Sequence, residues 1–307
     1  MYIFFSKPFN TIAVLLVSFS FLSAQSNALP ISSIANLPAG LTESSGLVRT
    51  APNKLWSHND SGSDPELHCF DTTGTLLRTL TVQNATHVDW EDLTRDDSGY
   101  VYIGDFGNNS HNRTNLRIYK IPNPDLVTDS VVSAQIIDFS YSDQTAFPPP
   151  ADNRNFDMEG FLAWGDSLYL FSKNNSSPFD GHTKLYRLPN QPGTYTAELL
   201  DSLLLGTGTA LNFQVTGAAL SPDGEHVALL GYSHVWMLSC FSGADFFGGA
   251  VVTLNHVTSQ KEAIDWQSDS LVYVTDELVA GIFGGDLYRG DVTTWVREPS
   301  VNLGPDT

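Results

Sequence analysis

Hydrophobic residues in this chain fall in short runs of Val, Ile, Leu, Tyr and Phe, broken every few positions by Gly, Asp, Asn, Ser or Pro. Helical periodicity is nearly absent beyond the first 24 residues, so the pattern predicts strands and tight turns. Five stretches share one layout. Each opens on an acidic or polar residue, continues through small and apolar positions into a turn, and ends in an apolar strand closing on Asp, Asn or Ser. They read ESSGLVRTAPNKLWSHND from Glu43, EDLTRDDSGYVYIGD from Glu91, EGFLAWGDSLYLFSKN from Glu159, TGAALSPDGEHVALLGYS from Thr216 and EAIDWQSDSLVYVTDE from Glu262. Successive starts are 48, 68, 57 and 46 residues apart. A third strand-like run follows every hairpin (LHCFDTTG, LRIYKIPNP, TKLYRLPN, HVWML, GDLYRGD), and usually a fourth, such as LLRTLTV or SAQIIDFSY.

Four strands in about 40–50 residues is the size of a propeller blade. The expectation is therefore an all-β chain, a five-bladed β-propeller over residues 25–307, with six blades as the fallback if a degenerate blade hides in the long second or third unit. The segment LPISSIANLPAG, before the first repeat, supplies a strand to close the ring. A single β-sandwich gives no reason for five similar hairpins to begin alike.

Composition narrows the class. Apolar residues make up 41% of the 307, enough for a real core, so disorder is excluded for most of the chain. The 34 Asp and Glu against 15 Lys and Arg give a net charge of −19, which repels phosphate backbones and anionic lipid. Nucleic-acid binding is excluded as a role. Lys7, an apolar run from about Thr11 to Leu22 and small residues up to Ala24 have the layout of a secretory signal over residues 1–24. Cleavage leaves a chain without membrane insertion, secreted or periplasmic. The two cysteines, Cys69 and Cys240, stand 171 residues apart in apolar runs and read as small hydrophobes rather than a disulfide framework.

HNDSG at 58–62, DWED at 89–92 and GDFGNN at 104–109 resemble the signature of a widespread family of secreted bacterial propeller proteins of unassigned activity. The more general EGF and TDE elements are similar to the SdiA-regulated and phytase-like propellers, in the wider neighbourhood of gluconolactonase-type six-bladed propellers. The resemblance covers most of the chain after the signal. It implies a propeller with acidic residues near its central channel, where the gluconolactonase-like relatives hold calcium. Thr216 departs from the pattern where the other units carry Glu, and no acid–base pair of that wider group can be matched to residues here.

The residues themselves point to similar chemistry. If the repeats are in register, Glu43, Glu91, Glu159 and Glu262 converge on the channel, and strand-end Asp105 and Asp276 lie near one rim. Several carboxylates in one place repel each other and take up protons unless a cation or donors compensate. Calcium, with six to eight oxygen ligands in loose geometry, suits that supply, so these six residues are the candidate metal ligands. Equally, a Glu opening an inner strand can bond backbone N–H groups and tie blades together. Asn59, Asp60, Asp89, Asn108 and Asn174 are candidate ligand-binding positions. His58, beside Asn59 and Asp60, is the one histidine considered as a general base, against the plainer reading of a hydrogen-bonded structural histidine. No HExxH or GxSxG pattern occurs. Two functions follow: a module binding a small molecule, glycan or protein at a calcium-bearing channel, or a calcium-dependent hydrolase of a lactone, ester or phosphoester. A metal-free structural or interaction domain is the third.

Overall fold

The computed structural model describes residues 27–296, so the expected signal segment lies outside it. Strand β1 (Ile31–Asn36) comes first. The first repeat folds as β2 (Ser44–Ala51), β3 (Lys54–Asn59), β4 (Glu66–Phe70) and β5 (Leu76–Val82). The second gives β6 (Trp90–Arg95), β7 (Val101–Asp105) and β8 (Leu116–Ile121). A short β9 (Val131–Val132) then pairs in parallel with β5, and β10 (Gln135–Tyr141) adds to β8. The third repeat is β11 (Asp157–Trp164), β12 (Ser167–Lys173), β13 (His182–Pro189) and β14 (Gly193–Leu204). The fourth is β15 (Gly217–Leu220), β16 (His226–Leu230), β17 (His234–Ser239) and β18 (Ala250–Asn255). The last is β19 (Lys261–Ser268), β20 (Leu271–Asp276) and β21 (Asp286–Asp291), whose outer neighbour is β1 from the other end of the chain.

Each repeat is thus an antiparallel run of four strands, and β10 and β14 join the second and third runs side by side in parallel. The first strands pack in a closed cycle, β2 on β6, β6 on β11, β11 on β15, β15 on β19 and β19 on β2. Among the described residues, five hydrophobic clusters fill the wedges between successive runs. Second strands, covered on both faces, are apolar almost throughout, as in the fully buried β7 sequence VYIGD. Outer strands such as β10 alternate buried positions with half-buried or exposed ones. Trp90 is fully buried in the wedge between the first two runs and donates from Nε1 to the Thr86 carbonyl at 3.0 Å. Trp90→Ala there costs about 3–5 kcal/mol through the cavity it leaves.

At the axis, the residues before Leu47, Leu93, Phe161, Ala218 and Ile264 are Gly46, Asp92, Gly160, Gly217 and Ala263. Small residues are required because the inner strands approach closely. A Cβ on Gly160 would stand 2.8 Å from the Gly217 carbonyl carbon, and one on Gly217 would stand 2.8 Å from the Glu262 carbonyl oxygen. Asp92 uses the room its neighbours leave. Its Oδ2 accepts from the N–H of Phe161 at 3.1 Å and of Ala218 at 3.3 Å, and its Oδ1 from Leu93 at 2.8 Å.

Candidate functional site

The starts of the five inner strands meet at one mouth of this axis. Counting back from the small axial residues, the inward positions are Ser45, Glu91, Glu159, Thr216 and Glu262, and two residues earlier Glu43, Asp89, Asp157, Gln214 and Gln260. These form two tiers. A β-bulge in four of the five runs, between Ser44 and Leu47, Trp90 and Asp92, Met158 and Gly160, and Lys261 and Ala263, breaks the alternation of faces. The deeper position and the small residue after it therefore both turn to the axis. Glu91, Glu159 and Glu262 occupy the deeper tier, all buried. Glu43 does not join them. It stands one tier out and is exposed, and its place is taken by Ser45, whose Oγ donates to the Glu91 carbonyl at 2.5 Å. Thr216 closes the fourth run likewise, donating to the Lys261 carbonyl at 2.7 Å.

Two triads of carboxylates have one oxygen from each member within 4.8 Å of the others: Asp60, Asp89 and Glu91, and Glu91, Asp157 and Glu159. Glu262 and Glu277 stand beside them, and the charge of each reaches the others. Lys173 is the cation in their midst, 2.8 Å from Oε1 of Glu159 and with its ammonium 5.7 Å from the Tyr232 ring centroid. Burial would lower its pKa, but Glu159 and Glu262 hold it well above the usual range. The carboxylates all move upward. Burial, then Glu159, pushes Glu91 well above the carboxylate range. Glu262 moves well up through burial, against Lys173, and Asp157 and Asp60 also rise by burial. Burial raises Glu159 to about 8 despite Lys173, while burial and Asp60 raise Asp89 and Glu277 to about 7.

Local structure makes this crowding feasible. Arg113 clamps the GDFGNN loop, donating to the Gly107 carbonyl at 2.7 Å and to Asp105 Oδ1 at 2.8 Å. Asp105 Oδ1 also accepts from the Asp89 N–H at 3.1 Å, fixing the start of the second inner strand. The Gly107 backbone lies so near the site that a Cβ there would meet Glu91 Oε1 at 2.0 Å and Asp89 Oδ2 at 2.5 Å. Asp157 is aimed by the Asn108 N–H at 2.5 Å and Asn175 Nδ2 at 2.8 Å.

The other residues singled out in the sequence surround the cluster or hold its loops. Asp60 and Asp89 are members of the first triad. Asn59 accepts from the Glu43 N–H and donates to the Gly40 carbonyl. Asn108 accepts from the Arg113 N–H, and Asn174 bonds Asp180, the Ser176 N–H and the His182 carbonyl. Asp105 is ion-paired with Arg113. Asp276 accepts from Ser259, Tyr288 and the Asp286 N–H. His58 is fully buried, with Nδ1 bonded to the Asn59 carbonyl and its ring edge-on to Trp90 at 5.4 Å. Burial and His87 push its pKa down to about 3, so it is neutral and packed away from solvent. Asp157, Lys173, Glu277 and Tyr232 were not foreseen. Asp157 had a signal, two residues before Glu159 just as Asp89 precedes Glu91.

Beside the cluster runs a groove of about 500 Å³ lined by Leu211, Gln214, Tyr232, Thr258, Ser259 and Gln260. At the opposite ends of the inner strands a cavity of about 270 Å³ is lined by Arg95, Asp96, Trp164, Asp223, Asp265 and Trp266 among others. Of the recurring tryptophans, Trp56, Trp90 and Trp266 are core, whereas Trp164 is half-buried at this far mouth.

No protein-family model matches the sequence, and no curated protein matches it. Solved structures do match the fold. The PQQ-bound aldose sugar dehydrogenase of Streptomyces coelicolor superposes with a TM-score of 0.52 at 10% identity, covering 86% of this chain and 98% of that one. A gluconolactonase from Xanthomonas campestris matches with a TM-score of 0.45 at 12% identity, over 86% of this chain and 90% of that one. The β-propeller domain of Cps50 (Swd1) from Myceliophteria thermophila gives 0.43 at 11% identity, over 86% and 100%. The chain has the all-β architecture of a β-propeller, and these distant likenesses assign it to no particular family.

Proposed function

We propose that this chain is a secreted, five-bladed β-propeller that binds calcium at the carboxylate cluster and presents it to a polar ligand in the adjoining groove. Five four-stranded runs around a closed cycle of inner strands support the blade count, and the signal-like segment supports export. One observation carries the cation. Seven carboxylates, at Asp60, Asp89, Glu91, Asp157, Glu159, Glu262 and Glu277, are pushed toward protonation around a single ammonium, Lys173. A divalent ion relieves that repulsion, and a site built from oxygens at loose spacing favours calcium over zinc or copper. Groove side chains with hydroxyl and amide groups, Gln214, Tyr232, Thr258, Ser259 and Gln260, fit a hydroxylated ligand such as a glycan.

Thermal unfolding of the purified protein tests this reading, first in EDTA and then with rising calcium. A ligand that binds only the folded state raises Tm once its concentration exceeds Kd. The expected result is a calcium-dependent rise that Glu91→Gln abolishes. An unchanged Tm across millimolar calcium overturns it.

A second reading, a calcium-dependent hydrolase, is favoured by Glu277, which belongs to neither triad, is half-buried beside them and is raised to about 7 chiefly by burial, where a general base works well. Bound calcium would supply polarisation of a substrate oxygen. Turnover of a lactone, ester or phosphoester panel that Glu277→Gln removes while calcium still binds supports it; no turnover with calcium bound leaves the binding module.

A further inference from the structure

We infer that the cluster holds two divalent cations side by side, with Glu91 bridging them. This rests on the calcium reading above and goes further in fixing the number and partition of the ions. The two triads share Glu91 alone, and Asp60 and Asp89 do not join Asp157 and Glu159 in one mutually close set. An ion with oxygens at 2.3–2.6 Å has ligand atoms no more than about 5 Å apart. Each triad, within 4.8 Å, meets that limit, whereas the five residues do not come together as one set at that spacing. Two centres flanking one carboxylate satisfy the geometry.

Charge points the same way. Seven carboxylates against Lys173 sum to a formal charge of −6, so one divalent ion leaves −4 and two leave −2. An independent sign that the cluster awaits a partner comes from outside both triads. Glu262 is 5% exposed, and its Oε2 is buried without a hydrogen-bond partner beside Glu159 and Lys173. Glu91 itself is 3% exposed, and among the described residues no hydrogen-bond donor reaches its carboxylate. A bridging carboxylate is best left free of donors, because both oxygens are then available to metals. Gly107 keeps the backbone side clear, since a Cβ there would overlap Glu91 Oε1.

Isothermal titration of the purified protein with calcium chloride counts the ions. Two calcium ions per chain are expected, with one lost in Asp60→Asn, a different one lost in Asp157→Asn, and both weakened at least tenfold in Glu91→Gln. Manganese substitution provides a readout independent of the variants. Two Mn²⁺ sharing a carboxylate couple magnetically, so the six-line spectrum of an isolated ion should broaden as the second equivalent binds. A stoichiometry of one, or loss of the same single event in both Asp variants, overturns the paired site while leaving the calcium reading standing. No calcium heat at all, and no change in the manganese spectrum, overturns both.

Discussion

The ammonium of Lys173 sits 2.8 Å from Oε1 of Glu159, at 13% and 3% side-chain exposure. The pair joins the last residue of β12 to the strand beside it. It leaves the other carboxylates of the cluster to repel one another at short range. Lys173 therefore acts as a built-in counter-charge for the cation-free protein. Removing one partner of a buried pair costs about 3–5 kcal/mol, less where the survivor can take up a proton. Lys173→Met should lose about 3 kcal/mol in urea unfolding at pH 8 in EDTA. Saturating calcium or acidification should recover part of that loss. An unchanged unfolding midpoint in EDTA would show that the ammonium compensates nothing.

The pH dependence has a definite sign. Asp89 and Glu277 rise to about 7 and Glu159 to about 8 in the folded protein, above their unfolded values near 4. Between those values the folded state binds more protons than the unfolded one. Stability from these groups is full at acid pH and is lost as pH rises through 7 to 8. His58 works oppositely, since its folded value of about 3 removes stability as pH falls below about 6.5. A scan from pH 6.5 to 8.5 isolates the carboxylates. In EDTA the unfolding free energy should fall across it, by at most about 1.4 kcal/mol per pH unit for each group, and Tm should fall with it. In saturating calcium the fall should flatten or reverse, because protons and metal compete for the same oxygens.

How much of this was legible follows from the pleat. The repeat of hairpins and their spacing are visible in the letters, because strand–turn–strand grammar and buried alternation survive divergence. The facing of individual residues is not, since a shift of one residue turns a side chain to the other face. Asp276 was read as a candidate metal ligand near one rim and Asn174 as a candidate ligand-binding position, yet their neighbours Glu277 and Lys173 act on the cluster, while Asn174 and Asp276 hold loops and the outer strand. Glu43 was aligned by its letter. The register is set by the small axial residues, which put Ser45 against Glu91 and move Glu43 one tier outward. Asp92, with a carboxylate where the other runs have Gly or Ala, is the exception in that frame.

Gly107 offers a test of the site that leaves every charge in place. Alanine there would put a Cβ 2.0 Å from Glu91 Oε1 and 2.5 Å from Asp89 Oδ2, both ends of side chains that can swing aside. The fold should tolerate this, with Tm in EDTA changed by only a few degrees. Calcium affinity should fall about tenfold, or about 1.4 kcal/mol, because the two carboxylates lose their positions. Calorimetry and thermal unfolding on the same preparation separate the two effects. Unaltered affinity would mean that Glu91 and Asp89 are not the ligands.

Asp92 makes the complementary prediction, with stability affected and the site untouched. Its carboxylate stands on the axis and ties three of the five inner strands together through the N–H groups of Leu93, Phe161 and Ala218. Burial, with a smaller push from Asp265, raises its pKa, and those three donors oppose the rise. Asp92→Ala strands buried N–H groups that cost about 1–3 kcal/mol each when unpaired, so a total near 3 kcal/mol is expected if water reaches some of them. Asp92→Asn keeps an amide oxygen as acceptor and should lose less. Because Asp92 belongs to neither triad, calcium stoichiometry should match the unaltered protein in both variants. A loss of calcium binding with stability intact would move Asp92 from the scaffold into the site, and the axis would then have to be reckoned part of the cation chamber.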